Sequence, residues 1–263
     1  MATQFEYLYT PLKIGPVTVR NRIVSPPHAT CLADADGMVT ERQIDYHAER
    51  ARGGVGLIIL GTGYVHPTGK VLPGMNNLYD ERVVPGLRRL AEVVHRHGAV
   101  LFGQQYHVGG QFRSDFTELP LWAPSTLPHP VSPEIPHEME IEEIEELIDN
   151  EARVARHYRE AGFDGVEVCM CHGRLLGQFL SPFSNRRTDE YGGSLEGRLR
   201  IAFEVIDRVR EAVGEDRVVG IRISGDEFTD GGLTLKDMRE IVPRLEATGK
   251  IDYLHVSQSG IES

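Results

Sequence analysis

Apolar, β-branched runs alternate with amphipathic helical patterns along the whole chain. The runs that read as strands are Arg22–Ser25, Gly56–Leu60, Ala99–Gln104, Gly165–Cys169, Val218–Ile223 and Tyr253–Val256. Most are continuous rather than alternating, as expected of strands covered on both faces. Between them, Thr40 can cap a helix over Glu41–Arg52, and Asp80–His97 carries apolar residues at helical spacing. Glu138–Ala161 is apolar at Ile141, Ile144, Leu147 and Ile148, and Ser194–Val213 and Thr234–Thr248 each open on a capping hydroxyl. Regular strand–helix alternation predicts parallel βα units, in a closed barrel or a doubly wound sheet. The first strand runs into Pro26-Pro27-His28 instead of a glycine-rich phosphate turn, which favours an α/β fold of the (β/α)8 TIM-barrel type. Six strands are counted where a closed barrel needs eight, so residues 1–263 read as one barrel domain truncated after its sixth strand. The connection Gly109–Pro136, rich in Pro, Ser and His, reads as a functional loop.

Charge narrows the partners. The 263 residues carry a formal net charge of -11, which argues against nucleic acid or an anionic membrane surface. A small-molecule substrate is expected, with homo-oligomerisation left open. Residues 1–10 show no signal-peptide pattern, no run approaches a membrane span, and three cysteines are too few for a disulfide framework. A cytoplasmic, reduced protein is the simplest reading.

In a parallel barrel, chemistry gathers at the C-terminal ends of the strands. Those ends carry Pro27-His28-Ala29, Gly61-Thr62, Gln104 with Tyr106 and His107, Cys169-Met170-Cys171-His172, Arg222, and Ser257. Taken singly, a strand-end Gln, Arg or His is ordinary structure. Converging at one mouth, Gln104, His172 and Arg222 could bind a ring bearing carbonyls and nitrogens, since Gln both donates and accepts and Arg stabilises negative charge. Cys169 and Cys171 share a strand face if the strand runs through both, and they read as small packing residues; no metal site is assigned.

Four segments resemble Old Yellow Enzyme-like NADH:flavin oxidoreductases: Leu12–Val24 (LKIGPVTVRNRIV), Tyr46–Ile59 (YHAERARGGVGLII), Leu101–Gly110, and above all Glu160–Arg198, whose RRTDEYGGS run is highly specific. The resemblance covers nearly the whole chain. It implies FMN at the C-terminal mouth of a barrel, hydride passing through flavin N5, and NAD(P)H as an electron donor; a longer form could add an iron–sulfur cluster. It implies that Pro27, His28 and Ala29 lie against the flavin, that Gly61 or Thr62 lies beside its polar edge, that Gln104 bonds its pyrimidine ring, and that Arg222 stands near N1 and O2. Arg186, Arg187, Asp189 and Glu190 read as a salt-bridged loop.

The departures bear on chemistry. Ene-reductases of the family show His-x-x-His/Asn-Gly-Tyr after strand four; here the stretch reads Cys169-Met-Cys-His172-Gly-Arg174. One carbonyl-holding His is replaced by Cys169, and Arg174 stands where the proton-donating Tyr belongs, although an arginine does not donate protons near neutral pH. Pro27-His28 resembles the trimethylamine dehydrogenase, N-demethylase and dienoyl-CoA reductase branch. The position that binds flavin covalently in some members of that branch is Ala29 here, with Cys31 displaced by two residues. The expected activity is oxidation of an N-alkylated amine, with His172, Arg174 and Cys169 as the catalytic set. The alternatives are an ene-reductase or dienoyl-CoA reductase using another donor such as Tyr106, or a barrel piece without turnover.

Overall fold

The structure, a computed structural model, describes residues 5–61, 63–129 and 132–258. Six parallel strands form one sheet: β1 (Val24–Ser25), β2 (Leu57–Leu60), β3 (Val100–Gln105), β4 (Gly165–Met170), β5 (Val218–Ser224) and β6 (Tyr253–Ser257). Their spatial order is their chain order, each strand pairing only with its sequence neighbours in the sheet. That is the wall of a (β/α)8 barrel through its sixth strand, with β1 and β6 as its edges. Every residue of β2 and β4 is buried, which explains the unbroken apolar run of β2 and that of β4 with its single interruption at Glu167.

The helices fall between the strands as the polar caps predict. Thr40 Oγ1 accepts from the Gln43 amide at the start of α1 (Glu41–Arg52), and Ser194 Oγ accepts from Gly197 at the start of α5 (Leu195–Val213). At α6 (Leu235–Glu246), Asp237 accepts from both the amide and the hydroxyl of Thr234. Three boundaries differ from expectation. Asp80 caps a 3-10 turn, Glu81–Val83, and α2 proper is Val84–Arg96, entered through Pro85. The helix α3 is Ile141–Glu160, because His137–Glu138 pairs in parallel with Trp122–Ala123. The first strand is also shorter than its pattern: Asn21 turns its side-chain oxygen back to the Ile23 amide, so the ladder begins at Val24. A short helix α4 (Leu175–Leu180) and a hairpin, Leu12–Ile14 with Val17–Val19, were not anticipated.

Two glycines inside strands make room for rings. A Cβ on Gly103 would lie 2.4 Å from the Tyr158 ring, and one on Gly220 would lie 2.0 Å from the ring of Tyr253. Both tyrosines therefore lie flush on the sheet, and each uses its hydroxyl near the site: Tyr158 on the Gln104 carbonyl, Tyr253 on Glu167. Among the described residues, no helix is long and apolar enough to cross a membrane.

Candidate active site

The C-terminal ends of β1, β3, β4 and β5 open into one cleft of about 240 Å³. Pro27, His28 and Ala29 form one wall, and Gln104, Cys169, His172, Arg174 and Arg222 line it with Tyr106 and an apolar patch that includes Met75 and Phe112. Eight of the predicted site residues thus share one space. Gly61 does not line it: it backs the wall, since a Cβ there would lie 2.8 Å from the Pro27 Cβ and 3.1 Å from the His28 amide. Thr62 lies outside the described residues. His28 is held from behind, its Nε2 2.5 Å from the Tyr46 hydroxyl and its Nδ1 3.1 Å from the Pro26 carbonyl.

The orientation of Gln104 follows from a residue that the sequence reading passed over. Glu167, wholly buried in β4, accepts from Gln104 Nε2 (2.8 Å), the Tyr253 hydroxyl (3.0 Å) and His255 Nδ1 (2.9 Å). With Nε2 committed to Glu167, the amide of Gln104 offers its oxygen as the remaining group. The signal was present: GVEVCM is an apolar strand interrupted by one carboxyl, and a buried carboxyl requires partners.

His172 stands in the left-handed region at φ 58, just past the end of β4. Its amide donates to Ser224 Oγ (3.0 Å), and its Nε2 lies 2.5 Å from Ser257 Oγ, which also accepts from Arg222 Nη2 at 3.4 Å. Which of Ser257 and His172 donates in that contact is set by the ring tautomer, since a serine hydroxyl can accept from Arg222 and still either donate to or accept from the imidazole. Burial, and then the charges of Arg222, Arg174 and His255, push the imidazole down to about 4. His172 is therefore a neutral orienting group at physiological pH and a weak base. Arg222 keeps a buried Nε without a protein partner, a donor available to a ligand in the cleft.

Arg174 donates through Nη1 to Gln111 Oε1, and its guanidinium sits 5.2 Å from the Tyr106 ring centroid. Its Nε is also buried without a protein partner. The Tyr106 hydroxyl is pushed up to about 12 by burial. Cys169 and Cys171 are both buried, with their sulfurs 3.8 Å apart. Behind this wall, Glu151 of α3 is buried with an unpartnered Oε2, and burial pushes its carboxyl up to about 8. Its neighbour Gln105, which donates to the Glu151 carbonyl, has an unpartnered Oε1.

His107 is not in the cleft. Its Nδ1 accepts from the Gly109 amide (3.1 Å), so Nε2 donates to Thr68 Oγ1 (2.9 Å). Thr68 passes its own proton to His66 Nδ1 (2.7 Å), and His66 Nε2 faces Glu146 at 3.4 Å, while Trp122 stacks on His66 at 4.1 Å. Arg187 and Asp189 are bridged at 2.6 Å, and Arg187 also holds the carbonyl of Met139, the structural role expected of that loop.

Comparison with known proteins agrees with this geometry. The NADH:flavin oxidoreductase / NADH oxidase family matches residues 7–260. An NADH oxidase of Thermoanaerobacter brockii is 46% identical over 99% of this chain and 40% of its own length. The N,N-dimethylglycine/sarcosine dehydrogenase of Chromohalobacter salexigens is 41% identical over 98% of this chain and 38% of its own. A solved 2-naphthoyl-CoA reductase complex superimposes with a TM-score of 0.95 at 34% identity, covering 99% of this chain and 42% of the other. The Old Yellow Enzyme homologue of Zymomonas mobilis does so with a TM-score of 0.85 at 27% identity, covering 95% and 72%. The chain spans about two fifths of the length of these two curated relatives. By sequence over nearly all of its length and by fold, the chain belongs to the NADH:flavin oxidoreductase / NADH oxidase family, whose members bind FMN and use NAD(P)H as electron donor.

Proposed function

We propose that this chain forms the flavin and substrate cleft of an oxidoreductase that oxidises an N-alkylated amine carrying a carboxylate. The observation that carries the reading is Arg174: a guanidinium with an uncommitted Nε in the cleft wall, beside the neutral His172. An arginine fork pairs with a carboxylate in two parallel hydrogen bonds and has no proton to give an alkene carbon. The names of two relatives support the same class, the dimethylglycine/sarcosine dehydrogenase and a probable N-methylproline demethylase of Rhizobium meliloti. Both names denote N-methylated amino acids.

The residues present fit an isoalloxazine ring. Pro27, His28 and Ala29 would carry one face of it, the Gln104 oxygen would accept from a ring N–H, and the uncommitted Nε of Arg222 would donate to a ring carbonyl. FMN bound there supplies a two-electron centre that accepts hydride. The chain's own part is to hold the amine carbon close, with Arg174 on the carboxylate and the neutral His172 on a polar substrate atom, and to exclude water with Met75 and Phe112.

Glu167 serves this arrangement through Gln104. Replacing Glu167 with leucine is expected to weaken FMN binding about 10- to 100-fold, the effect of freeing one buried hydrogen-bonded amide to rotate. Glu167→Gln, whose amide oxygen can still accept from Gln104, is expected to recover most of the loss. Fluorescence titration of flavin reads both, and unchanged affinity in Glu167→Leu would remove the positioning role.

The activity is tested by anaerobic mixing of the FMN-loaded protein with N-methylated amino acids and, after photoreduction, with cyclic enones. Bleaching of the oxidised flavin by the amino acids is the expected result. Rapid reoxidation by enones with no bleaching by any amine would transfer the assignment to alkene reduction, with Tyr106, protonated in the cleft wall, as donor.

A further inference from the structure

We infer that Cys169 and Cys171 form a reversible dithiol–disulfide couple in the cleft wall, open to low-molecular-weight disulfides that enter by the cleft. The two sulfurs lie 3.8 Å apart, and a bond requires them to close to ~2.05 Å. The backbone can yield there. Met170 is the last residue of β4, so Cys171 is free of the ladder, and the chain turns at once through two left-handed residues, His172 and Gly173. Access is asymmetric: Cys169 lines the cleft, whereas Cys171 lies behind it. Reactivity is asymmetric in the same sense. The hydrogen bond from Cys171, and then the Arg174 charge, hold the Cys169 thiol below its ordinary range, whereas the Cys171 thiol is pushed up. Among the described residues, no third His, Cys, Asp or Glu joins the pair in a metal-holding group.

The step balances as thiol–disulfide exchange. The Cys169 thiolate attacks one sulfur of the small disulfide, whose S–S bond breaks, and the leaving thiolate takes up the proton that Cys169 gave up. Cys171 then loses its proton and attacks the Cys169 sulfur, expelling the second small thiol. Two protein thiols are oxidised and one small disulfide is reduced to two thiols. A bond between residues two apart carries strain, which makes it easily reduced and suits a reversible couple.

One tryptic peptide, Glu160–Arg174, contains both cysteines, and Cys31 falls in another. The protein is incubated with oxidised glutathione, quenched in acid, alkylated and digested. The expected peptide is ~2 Da lighter than the reduced one, takes up no alkylating label and regains two labels after dithiothreitol. In Cys171→Ser, which cannot close the bond, the same peptide is expected to hold one glutathione on Cys169. A wild-type peptide that retains glutathione on Cys169 with Cys171 still alkylated would overturn the proposal. So would two fully alkylated cysteines while exposed Cys31 takes the adduct, or a Cys171→Ser peptide that carries no adduct.

Discussion

On the proposed function, replacing Arg174 with alanine is expected to raise KM for an N-methylated amino acid about 10- to 100-fold while kcat stays within a few-fold, the signature of a lost charge-assisted contact made equally in ground and transition states. The matching substrate control is the methyl ester of the same amino acid, which has no carboxylate to offer. Its KM should be nearly the same in wild type and Arg174→Ala, so the two changes are non-additive. Arg174→Lys should restore only part of the affinity, because an ammonium brings the charge without the two-pronged fork. Steady-state kinetics on the four enzyme–substrate combinations decide it. Equal KM increases for acid and ester would mean that Arg174 only packs against Tyr106 and Gln111.

Glu151→Gln is expected to stabilise the protein in a strongly pH-dependent way. In the folded chain burial holds this carboxyl up to about 8, against an ordinary value of 4.5. Between those values the folded state keeps a proton that the unfolded state releases, so wild-type stability falls by ~1.4 kcal/mol per pH unit as pH rises, and levels off above about 8. Glutamine has no proton to lose. Its advantage should be near zero at pH 4.5 and reach ~4 kcal/mol at pH 8. Urea unfolding at several pH values measures the gap. Parallel pH profiles for the two proteins would show Glu151 to be ionised in the fold.

The parts of the fold legible in the sequence were those with a strong local cause. Strands β2 to β5 are largely buried, so they read as mostly apolar runs, and α1, α5 and α6 open on hydroxyl caps that bond as their spacing predicts. What was hidden depended on tertiary contact. The strand pairing of Glu138 cannot be seen in a helical pattern, nor can the turn by Asn21 that shortens β1. The site divides in the same way. Gln104, Cys169, His172 and Arg222 were reached from the rule that barrel strands present chemistry at their C-terminal ends, and Arg174 from the family motif it departs from. Glu167 and His255 support those residues from neighbouring strands, and only the sheet register brings them together with Ser257, whose place at a strand end was legible. Gly61 matched its family position, yet its geometry here is that of a support behind Pro27.

The hydrogen-bond series from Gly109 to Glu146 behaves as an insulator. A Grotthuss wire carries a proton only if every link can reverse its polarity in turn. Here the first link is a peptide N–H pointing at His107 Nδ1, and a backbone amide cannot surrender its hydrogen. That one fixed end dictates the direction of each link after it, through Thr68 and His66 to the helix surface. Two stacked imidazoles on Trp122 therefore lie close to the cleft without offering it a proton leak. On the proposed function, this series gives the cleft no second proton path, and solvent isotope effects on turnover are expected not to respond to substitution of Glu146.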